Sequence, residues 1–225
     1  MHKGKRFLAV IPARGGSKGL RHKNRRLLKG KPLVVYTIQQ ALAVPTIDCV
    51  LVSSDDEQII RIAKKAGACA IKRPAALATD TARTEDALLH ALEVMEANGD
   101  EYDFVVTLEP THPLRSSATL KKAITMVVQR RYDSLLTLTP DRTDFWTQKR
   151  GRYRRLFPKA PRRRQDREPL YKENSLIYIT SVSKLRKRHF VIGTKPAVLI
   201  TQERESLDIH TEDDLRMAAL WMKSR

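Results

Sequence analysis

The sequence predicts an α/β protein built on a mainly parallel sheet covered by helices. Three observations carry this reading. Short apolar runs without polar alternation recur at residues 7–12, 49–53, 104–108 and 135–139, as in strands buried on both faces. Stretches with helical spacing separate them, the alternation of a parallel sheet. Breaks rich in glycine, proline or polar residues follow several of the runs, and open α/β sheets bind ligands at those strand ends. The 225 residues fit one domain carrying an inserted basic arm over 140–172.

The first strand, 7–12, runs into Ala13-Arg14-Gly15-Gly16-Ser17-Lys18-Gly19, with Lys23-Asn24 shortly after. Glycines let backbone N–H groups approach phosphate oxygens, and Arg14, Lys18, Arg21 and Lys23 offset negative charge. The spacing is neither that of a P-loop nor that of a dinucleotide site, so a third kind of phosphate loop is implied. A helix over 32–43 follows, with Pro32 at a first-turn position, and then the strand 49–53. Next come a helix over 57–66 stopped by Gly67, a strand at 69–71, and a helix over 84–98 closed by Gly99. The strand 104–108, a helix over 117–129 and the strand 135–139 continue the rhythm.

It fails over 140–172, a stretch rich in Pro and Arg without a sustained period, which reads as a lid, arm or interface segment. Strands at 175–180 and 197–201 and a helix over 212–222, capped by Thr211, complete the chain.

The net charge of +18 and pI near 10.2 raise the question of nucleic acid as a partner. The cations concentrate in the opening loop and in residues 149–167, where Tyr153 and Phe157 lie among them, so an RNA-binding strip is physically feasible. The same surface would attract a triphosphate or an acidic sugar. No apolar run approaches the ~20 residues needed to cross a bilayer. Pro12 and Arg14 cut short a start that imitates a signal peptide. Cys49 and Cys69 lack metal-type spacing and sit in apolar surroundings, which points to buried, reduced thiols and a cytoplasmic protein.

Six pieces stand in order along the chain: the opening loop with Lys23-Asn24, Ser53-Ser54-Asp55, Arg73-Pro74 through Ala82, Pro110-Thr111-His112-Pro113-Leu114-Arg115, Asn174 with Ile177-Tyr178-Ile179, and Ser206-Leu207-Asp208-Ile209-His210. Together they resemble the CMP-sugar synthetases that activate sialic acids, including their legionaminic and pseudaminic acid relatives. The resemblance implies a three-layer Rossmann-like nucleotidyltransferase fold, with the 140–172 segment as a dimerisation arm. It implies an enzyme that transfers CMP from CTP to a nonulosonic 2-keto-3-deoxy sugar acid and releases pyrophosphate, using Mg²⁺ or Mn²⁺ and acting as a homodimer.

By the same resemblance Arg14, Gly15, Ser17, Lys18, Lys23 and Asn24 meet the triphosphate and ribose, and Arg73 faces the base with Ala82 and Thr84 nearby. Glu109, Thr111, Tyr178 and Phe190 line the sugar side. Asp208 binds the metal, and Arg14, Lys23 and Asp208 form the catalytic set. Transfer at phosphorus needs cations for the leaving pyrophosphate and little covalent help, which suits this set. Arg73, held extended before Pro74, offers a fork suited to cytosine. His112 is a polar loop residue before it is a base. Two departures stand out. Glu109 replaces a usual glutamine, and His210 replaces a second aspartate, so His210 is a ligand for a softer metal, a partner of metal-bound water or a phosphate contact. The alternatives are a 3-deoxy-octulosonate cytidylyltransferase, another sugar nucleotidyltransferase and, in a different class, a basic nucleic-acid-binding protein.

Overall fold

A computed structural model describes residues 4–17 and 19–223. The chain runs β1 (Phe7–Pro12), a 3-10 turn (Lys23–Arg25), β2 (Leu27–Leu28), β3 (Lys31–Pro32), α1 (Leu33–Leu42), β4 (Cys49–Ser54), α2 (Glu57–Lys65) and β5 (Cys69–Lys72). After a second 3-10 turn (Ala75–Ala78) come α3 (Thr84–Ala97), β6 (Phe104–Thr107), α4 (Ser117–Gln129), β7 (Ser134–Asp141), β8 (Trp146–Lys149) and β9 (Arg152–Arg155). A third short turn (Arg164–Asp166), β10 (Leu170–Ser181), α5 (Val182–Arg188), β11 (Pro196–Ile200) and α6 (Glu212–Trp221) follow.

Seven strands form one sheet in the order β11-β7-β10-β6-β1-β4-β5. β10 pairs antiparallel with both β6 and β7, and every other pairing is parallel. The mainly parallel sheet expected from the alternation is therefore present, with one reversed strand that the periodicity did not announce.

β1 shows why its sequence lacks alternation. Phe7, Ala9 and Ile11 join the core on one face of the sheet, while Leu8 and Val10 join the core on the other. The chain leaves β1 for β4 on one side and later enters β6 on the other, so the order reverses between β1 and β6. Such a switch point opens a crevice at the strands' carboxyl ends. The loops after β1 and β6 flank it.

Three expectations change. The 140–172 segment is not without regular structure: β7 extends into it, β10 begins before its end, and β8 and β9 form a hairpin between them. Arg150 (φ 51°) and Gly151 (φ 75°) both take the left-handed conformation, as a tight hairpin turn requires. Both hairpin faces are exposed, so no apolar alternation marked it. Pro32 belongs to β3 and precedes α1 rather than standing in its first turn. Cys49 is half-buried and Cys69 is exposed, because β5 is the edge strand of the sheet.

Candidate active site

The opening loop is fixed from below. A small apolar cluster joins Leu20, Leu28 and Leu33 to Ile209, Leu215 and Ala218, which brings the segment bearing Asp208 against the loop. The Ile209 N–H donates to the Thr111 carbonyl at 3.0 Å, tying in the loop after β6. Close approach explains two glycines: a Cβ on Gly19 would lie 2.8 Å from the His210 carbonyl oxygen, and one on Gly15 would lie 2.8 Å from Asp56 Cβ. Gly15 N–H donates to Asp55 Oδ1 at 2.9 Å, so the acid of Ser53-Ser54-Asp55 holds the loop. Gly16 faces open space.

Two adjoining cavities open at the switch point. The first, about 260 Å³, is lined by Arg14, Gly16, Ser17, Asn24, Arg73 and Ala82, with Arg83 and Asp80 among others. The second, about 420 Å³, is lined by Glu85, Glu173, Tyr178, Phe190, Asp208 and His210, with Ser175 and Val191 among others. Lys23, Thr84, Glu109 and Thr111 border both, forming the shared wall. The expected site residues thus gather here, with two exceptions. Gly15 is tucked against Asp55 and Asp56 and lines neither cavity, and Lys18 lies outside the described residues. Trp146 stands on the exposed hairpin and borders neither cavity.

In the first cavity Arg73 is buried, with Nε donating to Ser53 Oγ at 3.1 Å and Nη2 to the Ser53 carbonyl at 2.6 Å. Burial lowers its pKa, opposed by Asp55 and Glu109. Arg14 pairs with Asp80 at 2.6 Å in a solvated setting. Asn24 Nδ2 donates to the Arg14 carbonyl at 2.9 Å, while its buried Oδ1 has no hydrogen-bond partner among the described residues and can accept from a hydroxyl. Lys23 follows His22, whose φ of 53° turns the chain so that the lysine faces the wall. Burial lowers its pKa while Asp208 and Glu109 pull it back up.

Glu109 is the carboxyl of the shared wall. Burial and the Asp208 charge push it up to about 7 against the pull of Arg115, Arg73 and Lys23. Sequence reasoning gave Arg115 no role, yet it is fully buried and organises this loop. It donates to the carbonyls of Leu176 and Glu109 at 2.9 and 2.8 Å and to Gln40 Oε1 at 3.1 Å. His112 is also buried, with Nε2 donating to the Asn174 carbonyl at 2.9 Å. Burial and Arg115 push its pKa down to about 4, so it is a neutral structural residue.

Asp208 and His210 face each other, with His210 Nε2 2.8 Å from Asp208 Oδ2. Asp208 Oδ1 is buried without a hydrogen-bond partner among the described residues. Among the described residues no cluster of three His, Cys, Asp or Glu side chains could hold a metal by itself. Asp214 closes a capping box with Thr211, and exposed Asp213 pairs with Arg216. Arg83, Glu85, Glu173, Ser175 and Val191 are cavity residues that the sequence did not reveal. Only Ser175, beside the Asn174 motif, carried a signal.

A basic cavity and an acidic one meet at the carboxyl ends of a mainly parallel sheet, the place where α/β proteins of this class bind ligands. The comparisons narrow that class: residues 8–198 match the family model described as cytidylyltransferase, and the chain belongs to that family of nucleotidyltransferases. It is 31% identical over 222 residues to a pseudaminic acid cytidylyltransferase of Campylobacter jejuni, covering 96% of each chain. It is 34% identical over 219 residues to the CMP-N,N'-diacetyllegionaminic acid synthase of Legionella pneumophila, covering 93% of each. The solved CMP:2-keto-3-deoxy-manno-octonic acid synthetase complexed with CTP superposes with a TM-score of 0.68 at 18% identity, covering 97% of this chain and 99% of that one, which establishes the shared fold.

Proposed function

We propose that this enzyme transfers CMP from CTP to a nonulosonic, 2-keto-3-deoxy sugar acid. The observation that carries the reading is the shared wall of Lys23, Thr84, Glu109 and Thr111 between the two cavities. The basic cavity takes CTP, with Arg73 toward the base, the free Asn24 Oδ1 toward a ribose hydroxyl, and Arg14 and Lys23 toward the phosphates. The second cavity takes the acid with its anomeric hydroxyl at the wall. That oxygen bonds the α-phosphorus, the bond to pyrophosphate breaks, and the hydroxyl proton passes to solvent. The Campylobacter jejuni and Legionella pneumophila relatives, both named for nonulosonic acids, support this acceptor class.

A divalent metal fits the residues present. Among the described residues Asp208 has one carboxylate oxygen without a hydrogen-bond partner and His210 meets the other, so these two residues would hold the ion, which would take its remaining oxygen ligands from water and phosphate. When bound, it would neutralise triphosphate charge. Lys23 and Arg14 do the same from the protein side, and the loop on Arg115 fixes Glu109 and Thr111 in place.

The exposed Trp146, Tyr153 and Phe157 of the 140–172 segment support its role as the arm of a homodimer, which sedimentation velocity would test. Among the described residues no helix is long and apolar enough to cross a membrane. The free thiols of Cys49 and Cys69 suit the reducing cytoplasm.

The deciding experiment measures pyrophosphate release with each of the four nucleoside triphosphates against octulosonic and nonulosonic acids, with Mg²⁺ and with Mn²⁺. CTP with a nonulosonic acid should turn over fastest. No turnover with CTP and any acid would end this reading, and preference for an octulosonic acid would move the acceptor to eight carbons.

A further inference from the structure

The β8–β9 hairpin borders neither cavity of the active site. Across the ribbon Lys149 pairs with Arg152 and Thr147 with Arg154. Cross-strand partners, and residues two apart on one strand, project to the same side. Lys149, Arg152 and Arg154 therefore share one face, and Trp146, Gln148, Tyr153 and Arg155 share the other. Arg150, at the turn, joins the three cations in lining a hollow of about 520 Å³ that no other described residue borders.

These four cations differ from others in the basic segment. Arg155 and Arg167 lie 2.7 and 3.4 Å from Asp144, which offsets part of their charge. Among the described residues no carboxylate pairs with Lys149, Arg150, Arg152 or Arg154. Like charges directly opposite, as Lys149 and Arg152 are, destabilise a ribbon, and an anion bound between them removes that penalty.

The chemistry of the hollow narrows its occupant. No apolar side chain lines it, whereas a protein partner would need an apolar core to the contact. The hollow is concave, whereas a bilayer presents a plane, and it is too small for a nucleic-acid duplex. Three of its four cations are arginines, whose planar forks match phosphate oxygens, and a chain of phosphates binds through charge alone. The exposed rings of Trp146 and Tyr153 stand on the opposite face, so the dimer contact proposed above does not compete for the cations.

We propose that the cationic face of this hairpin binds the phosphate backbone of a single nucleic-acid strand without regard to its bases, a second activity that does not depend on the transfer reading.

The test is fluorescence anisotropy of the intact protein with a labelled oligouridylate of about 12 nucleotides. Between about 50 and 200 mM salt, log K should fall against log salt with a slope at least as steep as about −3, the value for four phosphates neutralised on a single strand. Oligoadenylate should bind within a few-fold. Lys149→Gln, Arg150→Gln, Arg152→Gln and Arg154→Gln in combination should weaken binding at the lower salt about tenfold or more and flatten the slope by about 3. Lys159→Gln, Arg162→Gln, Arg163→Gln and Arg164→Gln, an equal loss of charge in the same segment, should weaken it far less. No binding at the lower salt, equal weakening by the two quadruple variants, or a strong preference between the two oligonucleotides overturns the proposal. So does tighter capture by phosphatidylserine vesicles through the same four residues, which would assign the face to a membrane.

Discussion

Arg73 and Glu109 show how neighbours set the task of a residue. Ser53 uses Nε and Nη2 of Arg73, which fixes the guanidinium plane while leaving donors toward the cavity. A lysine keeps the charge and loses the fork. Arg73→Lys should therefore raise KM for CTP about tenfold and erode the preference for CTP over UTP; kinetics with both nucleotides check this, and an unchanged preference would show that the fork does not read the base. Glu109, pushed up from 4.5 to about 7, binds more protons folded than unfolded between those pH values. Its ionisation thus costs stability as pH rises through that window. Glu109→Gln should gain on the parent by up to about 3 kcal/mol between pH 4.5 and 8, read by urea unfolding at both pH values.

At the scale of elements, the opening loop depends on contacts distant in sequence. The Gly19 site is closed by the His210 carbonyl, whereas Gly16 is open. Gly19→Ala should lower stability by about 1–3 kcal/mol in thermal unfolding, because backbone must shift to admit the methyl. Gly16→Ala should leave the unfolding midpoint nearly unchanged. Equal effects would mean that the loop packs otherwise. The loop after β6 relies on Arg115, whose bonds to β10, α1 and its own loop replace the water lost on burial. The motif ending in Arg115 was visible in the sequence, but its structural use was not, since its partners come from three elements.

For the whole molecule the basic arm matters most. Arg155 holds Asp144 at 2.7 and 2.8 Å and Arg167 approaches it at 3.4 Å, so two of the strip's arginines pin the arm rather than await a ligand. Asp144→Asn should speed tryptic cleavage within residues 149–167 several-fold while the cooperative unfolding of the sheet core stays nearly fixed. A simultaneous collapse of the core would show that arm and body are one cooperative unit. The sequence by itself determined five of the helices and six of the seven sheet strands to within about two residues, with β10 starting five residues early, because burial on both faces and helical spacing are local patterns. It also determined the family, through motifs that stand at successive strand ends. The exposed β8–β9 hairpin escaped because neither of its faces is buried, and α5 and the reversal of β10 because the pattern did not announce them. Only the tertiary structure set Lys23 and Glu109 on one wall and gave the two cavities opposite charge, since charge acts through space between residues that the chain keeps far apart.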